Sequence, residues 1–582
     1  MALALAITLC AAIAPHGQTQ IPAAGSGGAV ASVDARATDI GLDILRQGGN
    51  AVDAAIATAA TLGVTEPFSC GIGGGGFMVL RRADGSVITL DAREEAPAAV
   101  TPTLFQDPNN PSESLPFYPN RISSGVAVGV PGTPLMWQEA LSRYGTLTLG
   151  EALQPAIALA ESGFTVDDTF HGQVVSNQER FAAFTSTRDL YLPGGAPPAI
   201  GSRFTNPDLA RTYRQLADQG VNAVYRGDIG AAIVQTVQQP PTVTNPPFPV
   251  APGEMTLEDL DRYHVVARPP VTTPYRGYQF YGMGLPSSGG ITTQQVLNLL
   301  QGYELGAMDR AQAWHRVIEA ERLAYGDRAA FLGDPEYVDA PVAGLLNPDY
   351  AATRRPLIAE RAATEPATSG NPYPFQVDPS PSTALSSVTA QIDGEGLSTT
   401  HLTVADAAGN VVSYTLTIES TGGSGIVVPG YGFLLNNELT DFDTATPHPN
   451  APEPGKRPRS SMAPTIAVGP NGTVLAFGSP GGSTIITTVL GIAVNVIDFG
   501  LPLPEAIAAP RVSQRNGTAT QVDGGFERSP LGQALTALGH RLEPRDEIGA
   551  ATGITVFPDG TMGGAAEPQR RGGGSAGTVA ES

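Results

Sequence analysis

Thr399 and Thr417 close the two ends of one run, "TTHLTVADAAGNVVSYTLT". Its centre, Ala407-Ala408-Gly409 between Asp406 and Asn410, reads as a three-residue hairpin loop with glycine at the left-handed position. Centring the hairpin on Ala408 sets Val404 against Val412 and Thr399 against Thr417. Opposed residues have Cβ atoms about 4.5–5.5 Å apart, so two hydroxyls meet at the open end of the ribbon. The pair fits an ordinary cross-strand contact, and it also admits a catalytic role. A further segment, "GSPGGSTIITTVL", reads as a strand end, a glycine turn and a helix, with Ser483 expected to cap that helix. Gly481 and Gly482 lie where backbone N–H groups are free and the helix dipole favours negative charge. That is either a tight turn or an oxyanion hole.

Other motifs carry less. "GIGGGG", Gly71 to Gly76, satisfies G-x-G-x-x-G, but a helix precedes it and a strand follows, the reverse of a dinucleotide site. The glycines are expected to allow close backbone packing. The seven histidines show no H-E-x-x-H or paired-ligand spacing, so no metal is expected, and no cofactor either.

The elements that must position these residues follow from periodicity. Residues 33–63 predict two helices, the second capped by Asn50 with Asp53 three residues on. Residues 75–94 predict a hairpin turning at Asp84-Gly85. Residues 206–232 and 255–263 predict helices capped by Asn206 and Thr256, and 311–331 a long one. Residues 364–396 read as a flexible linker. Strand pairs follow at 399–417 and 465–477, then helices at 484–498 and 504–508. Abundant hairpins among helices predict a layered α+β fold with antiparallel sheets.

Composition excludes some partners. The net charge of −22 argues against nucleic acid. Lys456 is the only lysine. Met1 to Ala14 is apolar and ends in an A-x-A-like site, which predicts a secretory signal too short to span a bilayer. Cys10 falls within it, leaving Cys70 without an intrachain disulfide partner. No later segment reads as transmembrane.

Several separated motifs occur in one order. They are "QGGNAVDAAIATAATLGVTEPFSCGIGGGGFMVL", "DAREEAPAA", "GVAVGVPGTPLMWQEALSRYG", "PYRGYQFYGMGLPSSGGI", "EAERLAYGDRAAFLGDP", "STTHLTVADAAGN", "NNELTDFD", "KRPRSSMAPTI" and "GSPGGSTIITTVLGIAVNVIDFGLPLPEAIAAPR". Together they resemble the γ-glutamyltranspeptidases, also called glutathione hydrolases, from about Ala29 to Ala566. The resemblance implies a four-layer α/β/β/α sandwich of the N-terminal-nucleophile hydrolase type. It implies self-cleavage of the Ser398–Thr399 bond, giving a large subunit 15–398 and a small catalytic subunit 399–582 that form one heterodimeric domain. Thr399 then takes a γ-glutamyl group from glutathione or a related donor and passes it to water, an amino acid or a peptide. By position, Thr417 orients Thr399, and Gly481 and Gly482 bind the oxyanion. Arg93 holds the substrate α-carboxylate with Ser460 and Ser461, while Asp441 holds the α-ammonium, with Glu438 and Glu419 nearby. The location implied is secreted or periplasmic.

Three departures stand out. Glu419 sits where many members carry Asn. The segment between Asp441 and Ser460 is short and proline-rich, as in lid-less bacterial members, which suggests an open site and larger donors such as poly-γ-glutamate. "AAEPQRRGGG" replaces the usual Asp-Pro-Arg pattern. The alternatives are a glutaryl or cephalosporin-type acylase of the same fold, and an inactive binding homologue.

Overall fold

The hairpin predicted around Ala408 is the centre of a seven-stranded antiparallel sheet. The computed structural model describes residues 25–107, 110–376, 398–445 and 447–580. In that sheet the order is Ser575–Val579, Gly28–Ser32, Thr400–Asp406, Val411–Thr417, Gly75–Arg81, Val87–Ala92 and Val266–Arg268. Val404 pairs with Val412 and Thr400 with Leu416, the register the loop dictated. The glycine run is explained by close approach. A Cβ on Gly74 would lie 1.9 Å from the carbonyl oxygen of Thr417, so only glycine lets this segment pass behind that threonine.

A six-stranded antiparallel sheet runs Met562–Ala566, Thr552–Val556, Val474–Gly478, Thr465–Val468, Tyr278–Gly282 and Val271–Tyr275. Side chains alternate across both sheets, as the period of two requires. Leu402, Val404, Val412 and Leu416 join a core with helices Ala35–Arg46 and Ala51–Thr65. Ala405 and Val411 instead meet Ile466, Val474 and Ala476 of the second sheet. Ala467, Leu475 and Phe477 pack under helices Gly289–Leu300, Arg310–Phe331 and Thr484–Ile497. The packing order is helix, sheet, sheet, helix. Thr417 has the parity of Val411, so the threonine pair opens on the seam between the sheets.

Local expectations are met at several caps. Asn50 and Asp53 form a capping box, as do Thr256 and Asp259. The long expected helix at 206–232 is instead Pro207–Gln219, Asn222–Tyr225 and Asp228–Gln238, broken at Gly220, which has a φ of 68°. Ser483 does not cap its helix through its side chain. It already has helical backbone angles, and its hydroxyl accepts a bond from Arg515 Nη1 at 2.6 Å. Part of the expected linker is anchored: Gly370 N–H donates to Asp327 at 2.7 Å and Ala367 N–H to Asn516 at 2.6 Å. Residues 377–397 and the predicted signal segment lie outside the described residues. Among the described residues no helix is long and apolar enough to cross a membrane.

Candidate active site

Thr399 Oγ lies 3.0 Å from Thr417 Oγ, and Thr417 Oγ also accepts the Glu419 N–H at 2.9 Å. The second hydroxyl is thus fixed by backbone and can fix the first. Thr399 has a φ of 103°, a left-handed conformation that a β-branched residue adopts only under constraint. Several bonds impose it. Its carbonyl accepts Arg571 Nη1 at 2.7 Å, and Ser398 Oγ donates to the Phe68 carbonyl at 2.7 Å. Arg571 also reaches Ser69 Oγ and lies 3.5 Å from Glu66. Glu419 and Arg571 have left-handed φ as well, 76° and 54°. Three of the six non-glycine residues with positive φ among the described residues therefore meet at this one point.

Beside the hydroxyls lies a charge cluster in which Arg93 and Glu438 are buried and Asp441 is partly exposed. Arg93, at the end of strand Val87–Ala92, donates Nη1 to Glu438 and Nη2 to Asp441. Its Nε donates to the Pro458 carbonyl at 3.0 Å. Burial opposes its charge, but Glu438 and Asp441 hold the guanidinium pKa above its ordinary value. Burial raises Glu438 well above the usual carboxylate range, with Arg93 opposing. Burial, then the Asp441 charge, pushes Glu419 up to about 7, against hydrogen bonds from Ser420 and Asn437. Glu94 is likewise pushed up to about 7 by burial, with Arg93 opposing.

Arg93, Thr399, Thr417, Glu419, Glu438, Asp441, Ser460, Ser461 and Gly482 line one pocket of about 30 Å³. Ser461 Oγ accepts Arg328 Nη2 at 2.8 Å, which leaves its proton to donate. Ser398 is buried behind Thr399. Gly481 lies one step away, lining an adjacent cavity of about 700 Å³. Neither glycine N–H donates to another described residue, and both have positive φ, 131° and 54°. The N–H groups are available to an anion.

Sequence reasoning missed Arg571, whose only signal was the unusual C-terminal motif, and Glu94, adjacent to Arg93. It gave His401 no role, and none emerges in acid–base chemistry: burial lowers its pKa to about 3, and Nδ1 bonds Thr415 Oγ at 2.8 Å. A metal-like group that spacing did not suggest is His315, Glu319 and His540, with ligand atoms within 4.8 Å of one another. Its atoms are engaged. His315 Nδ1 bonds His540 Nε2 at 2.8 Å, His315 Nε2 meets the Ala359 carbonyl at 2.9 Å, and Glu319 takes Arg322 and the Ala363 N–H.

Comparison with known proteins gives one consistent result. The γ-glutamyltranspeptidase family model matches residues 37–577. The glutathione hydrolase proenzyme of Bacillus subtilis (strain 168) is 38% identical over 557 residues, 94% of this chain and 91% of that protein. The acylase ACY 1 proenzyme of Pseudomonas sp. (strain V22) is 36% identical over 554 residues, 94% of this chain and 92% of that protein. The crystal structure of cephalosporin acylase from Bacillus halodurans superposes with a TM-score of 0.84 at 28% identity, covering 99% of this chain and all of that one.

Proposed function

The chain belongs to the γ-glutamyltranspeptidase family, and we propose that it cuts itself before Thr399 and then hydrolyses or transfers γ-glutamyl groups from glutathione and related donors. One observation carries this reading: a single pocket joins the hydroxyl pair to a buried guanidinium and three carboxylates. A γ-glutamyl group ends in a zwitterion, and that charge set matches one. Arg93 exchanges its bonds to Glu438 and Asp441 for the α-carboxylate, with Ser460 and Ser461 as hydroxyl donors. Asp441, Glu438 and Glu419 take the α-ammonium.

Maturation comes first. Thr399 Oγ attacks the Ser398 carbonyl carbon, the peptide C–N bond breaks, and the Thr399 nitrogen takes a proton. Water then opens the Ser398 ester, leaving a carboxylate and a free Thr399 amine. The constrained φ of Thr399 is relieved in that step, because rotation about its N–Cα bond is then free.

Turnover follows from the new terminus. The α-amine, with an unperturbed pKa near about 8, accepts the Oγ proton as Thr399 attacks the γ-carbonyl. Thr417 orients Oγ, and the N–H groups of Gly481 and Gly482 bind the oxyanion. The C–N bond breaks, the amine passes its proton to the leaving group, and the Thr399 ester goes to water or to an amine acceptor. Subunits 15–398 and 399–582 stay together because their strands share one sheet. The apolar N-terminal run supports export, to the exterior or the periplasm.

A glutaryl-type acylase is the second reading, favoured by the acylases among the chain's relatives. A glutaryl group has no ammonium, so nothing in it matches the carboxylates of Glu419, Glu438 and Asp441. Comparing γ-glutamyl and glutaryl p-nitroanilides on the purified protein decides between them. Faster turnover of the glutaryl compound overturns the γ-glutamyl reading. Turnover of neither by an uncut chain returns it to a binding homologue.

A further inference from the structure

The cavity of about 700 Å³ beside the reactive pocket has no role in the chemistry so far. Its position is informative. Ser483 lines both spaces, and Gly481 of the oxyanion turn faces the larger one. With the acyl group in the inner pocket and its oxyanion on the glycine turn, the broken bond points outward past Ser483. The leaving group departs, and an acceptor arrives, through this cavity.

Its chemistry is set by Arg515. The guanidinium is held in place, with Nη1 on Ser483 Oγ at 2.6 Å and Nη2 on Gln521 Oε1 at 2.8 Å. Both partners are neutral. Among the described residues no carboxylate lies within ion-pairing distance of Arg515, whereas Arg93 next door is matched by two. A half-buried, pre-positioned guanidinium without a counter-ion is a receptor for a carboxylate. The cavity also carries Arg545, Arg571, Asp168, Asp546 and Glu547, so its fixed charges balance. A cavity without net positive charge suits one carboxylate rather than a polyanion.

Resting on the γ-glutamyl reading, we infer that Arg515 is a specificity-determining residue: it binds the terminal carboxylate of the leaving peptide and of the amine acceptor. It therefore sets a preference for a free C-terminus next to the scissile amide, ahead of γ-glutamyl polymers.

The test uses the matured enzyme, glutathione and its C-terminal amide. Wild type is expected to prefer the acid by about tenfold in kcat/KM, the scale of one charge-assisted hydrogen bond. Arg515→Gln is expected to lose that preference, and Arg515→Lys to keep part of it. Equal rates on acid and amide in wild type, or an unchanged preference in Arg515→Gln, overturns the assignment. If Arg515→Gln does not fold, the wild-type ratio and Arg515→Lys still decide it. Wild type that turns over neither compound overturns the γ-glutamyl reading instead. The same acid–amide pair on a glutaryl donor then decides the Arg515 assignment by the same ratio.

Discussion

The two ends of the reactive pocket are built from different materials. The nucleophile end is neutral: two hydroxyls, backbone N–H groups and a carbonyl, held in constrained backbone geometry. The recognition end is ionic, with Arg93 against Glu438 and Asp441, and Glu419 close by. The first depends on strand register and φ angles, which hold atoms but store little Coulomb energy. The second depends on mutual neutralisation, because buried charges are costly unless paired. Damage to the first end should stop chemistry while leaving the fold intact. Damage to the second should destabilise the protein as well as weaken binding.

Thr399→Ala tests the first half most severely. It removes one hydroxyl and leaves the hairpin paired. Intact mass should show a single uncut chain, and γ-glutamyl anilide turnover should fall by at least about 10³ with the thermal midpoint little changed. A normally cut variant would dismiss Thr399 as the nucleophile. Arg93→Gln tests the second half. It leaves the buried Glu438 without its cation, and should cost about 3–5 kcal/mol in denaturant unfolding. Adding Glu438→Gln should restore part of that loss. A neutral Arg93→Gln would show that the cluster is not the charge-balanced unit described.

The same division explains what the sequence disclosed. The hairpin register was legible because a three-residue loop and a period of two leave one solution, and Thr399 opposite Thr417 followed from it. Capping boxes at Asn50 and Thr256 were legible because every partner lies within one turn. The ionic end was legible only through resemblance, since Arg93 and Glu438 are 345 residues apart and no local rule pairs them. Ser483 was misread for the same reason: a local cap preference lost its hydroxyl to Arg515, 32 residues away. The strand order was not legible either, because it sets a C-terminal strand beside an N-terminal one. The C-terminal motif gained meaning only when Arg571 was seen on the Thr399 carbonyl.

Arg571→Met sharpens the comparison from within the neutral end. Arg571 is a cation, but it acts there on a carbonyl and a hydroxyl, and Glu66 at 3.5 Å balances its charge. Removing it frees the strand that presents Thr399 without touching either hydroxyl. The fragment beginning at Thr399 should accumulate about tenfold more slowly in a purified time course, and Lys at this position should recover part of the rate. An unchanged cleavage rate would make the clamp merely structural.

The smallest expected effect lies where the two ends touch, at Glu419. Its backbone N–H holds Thr417, while its side chain faces the charge cluster. Its folded pKa, about 7, lies above the ordinary carboxylate value. Its contribution to stability is therefore fully present below about pH 4.5 and declines as pH rises through about 7, where the buried carboxyl must ionise. Binding runs the other way, because the ammonium needs the carboxylate. In wild type, kcat/KM should fall on the acid side with loss of two ionisations, Glu419 and the Thr399 amine. Glu419→Gln should remove one of them, reducing the limiting slope of log kcat/KM against pH from about two to about one. At alkaline pH it should cost only about threefold, since Glu438 and Asp441 still face the ammonium. The variant should also lose less stability than wild type between pH 5 and pH 8 in denaturant titrations. A pH profile identical to wild type would take Glu419 out of recognition and leave it only its backbone bond to Thr417.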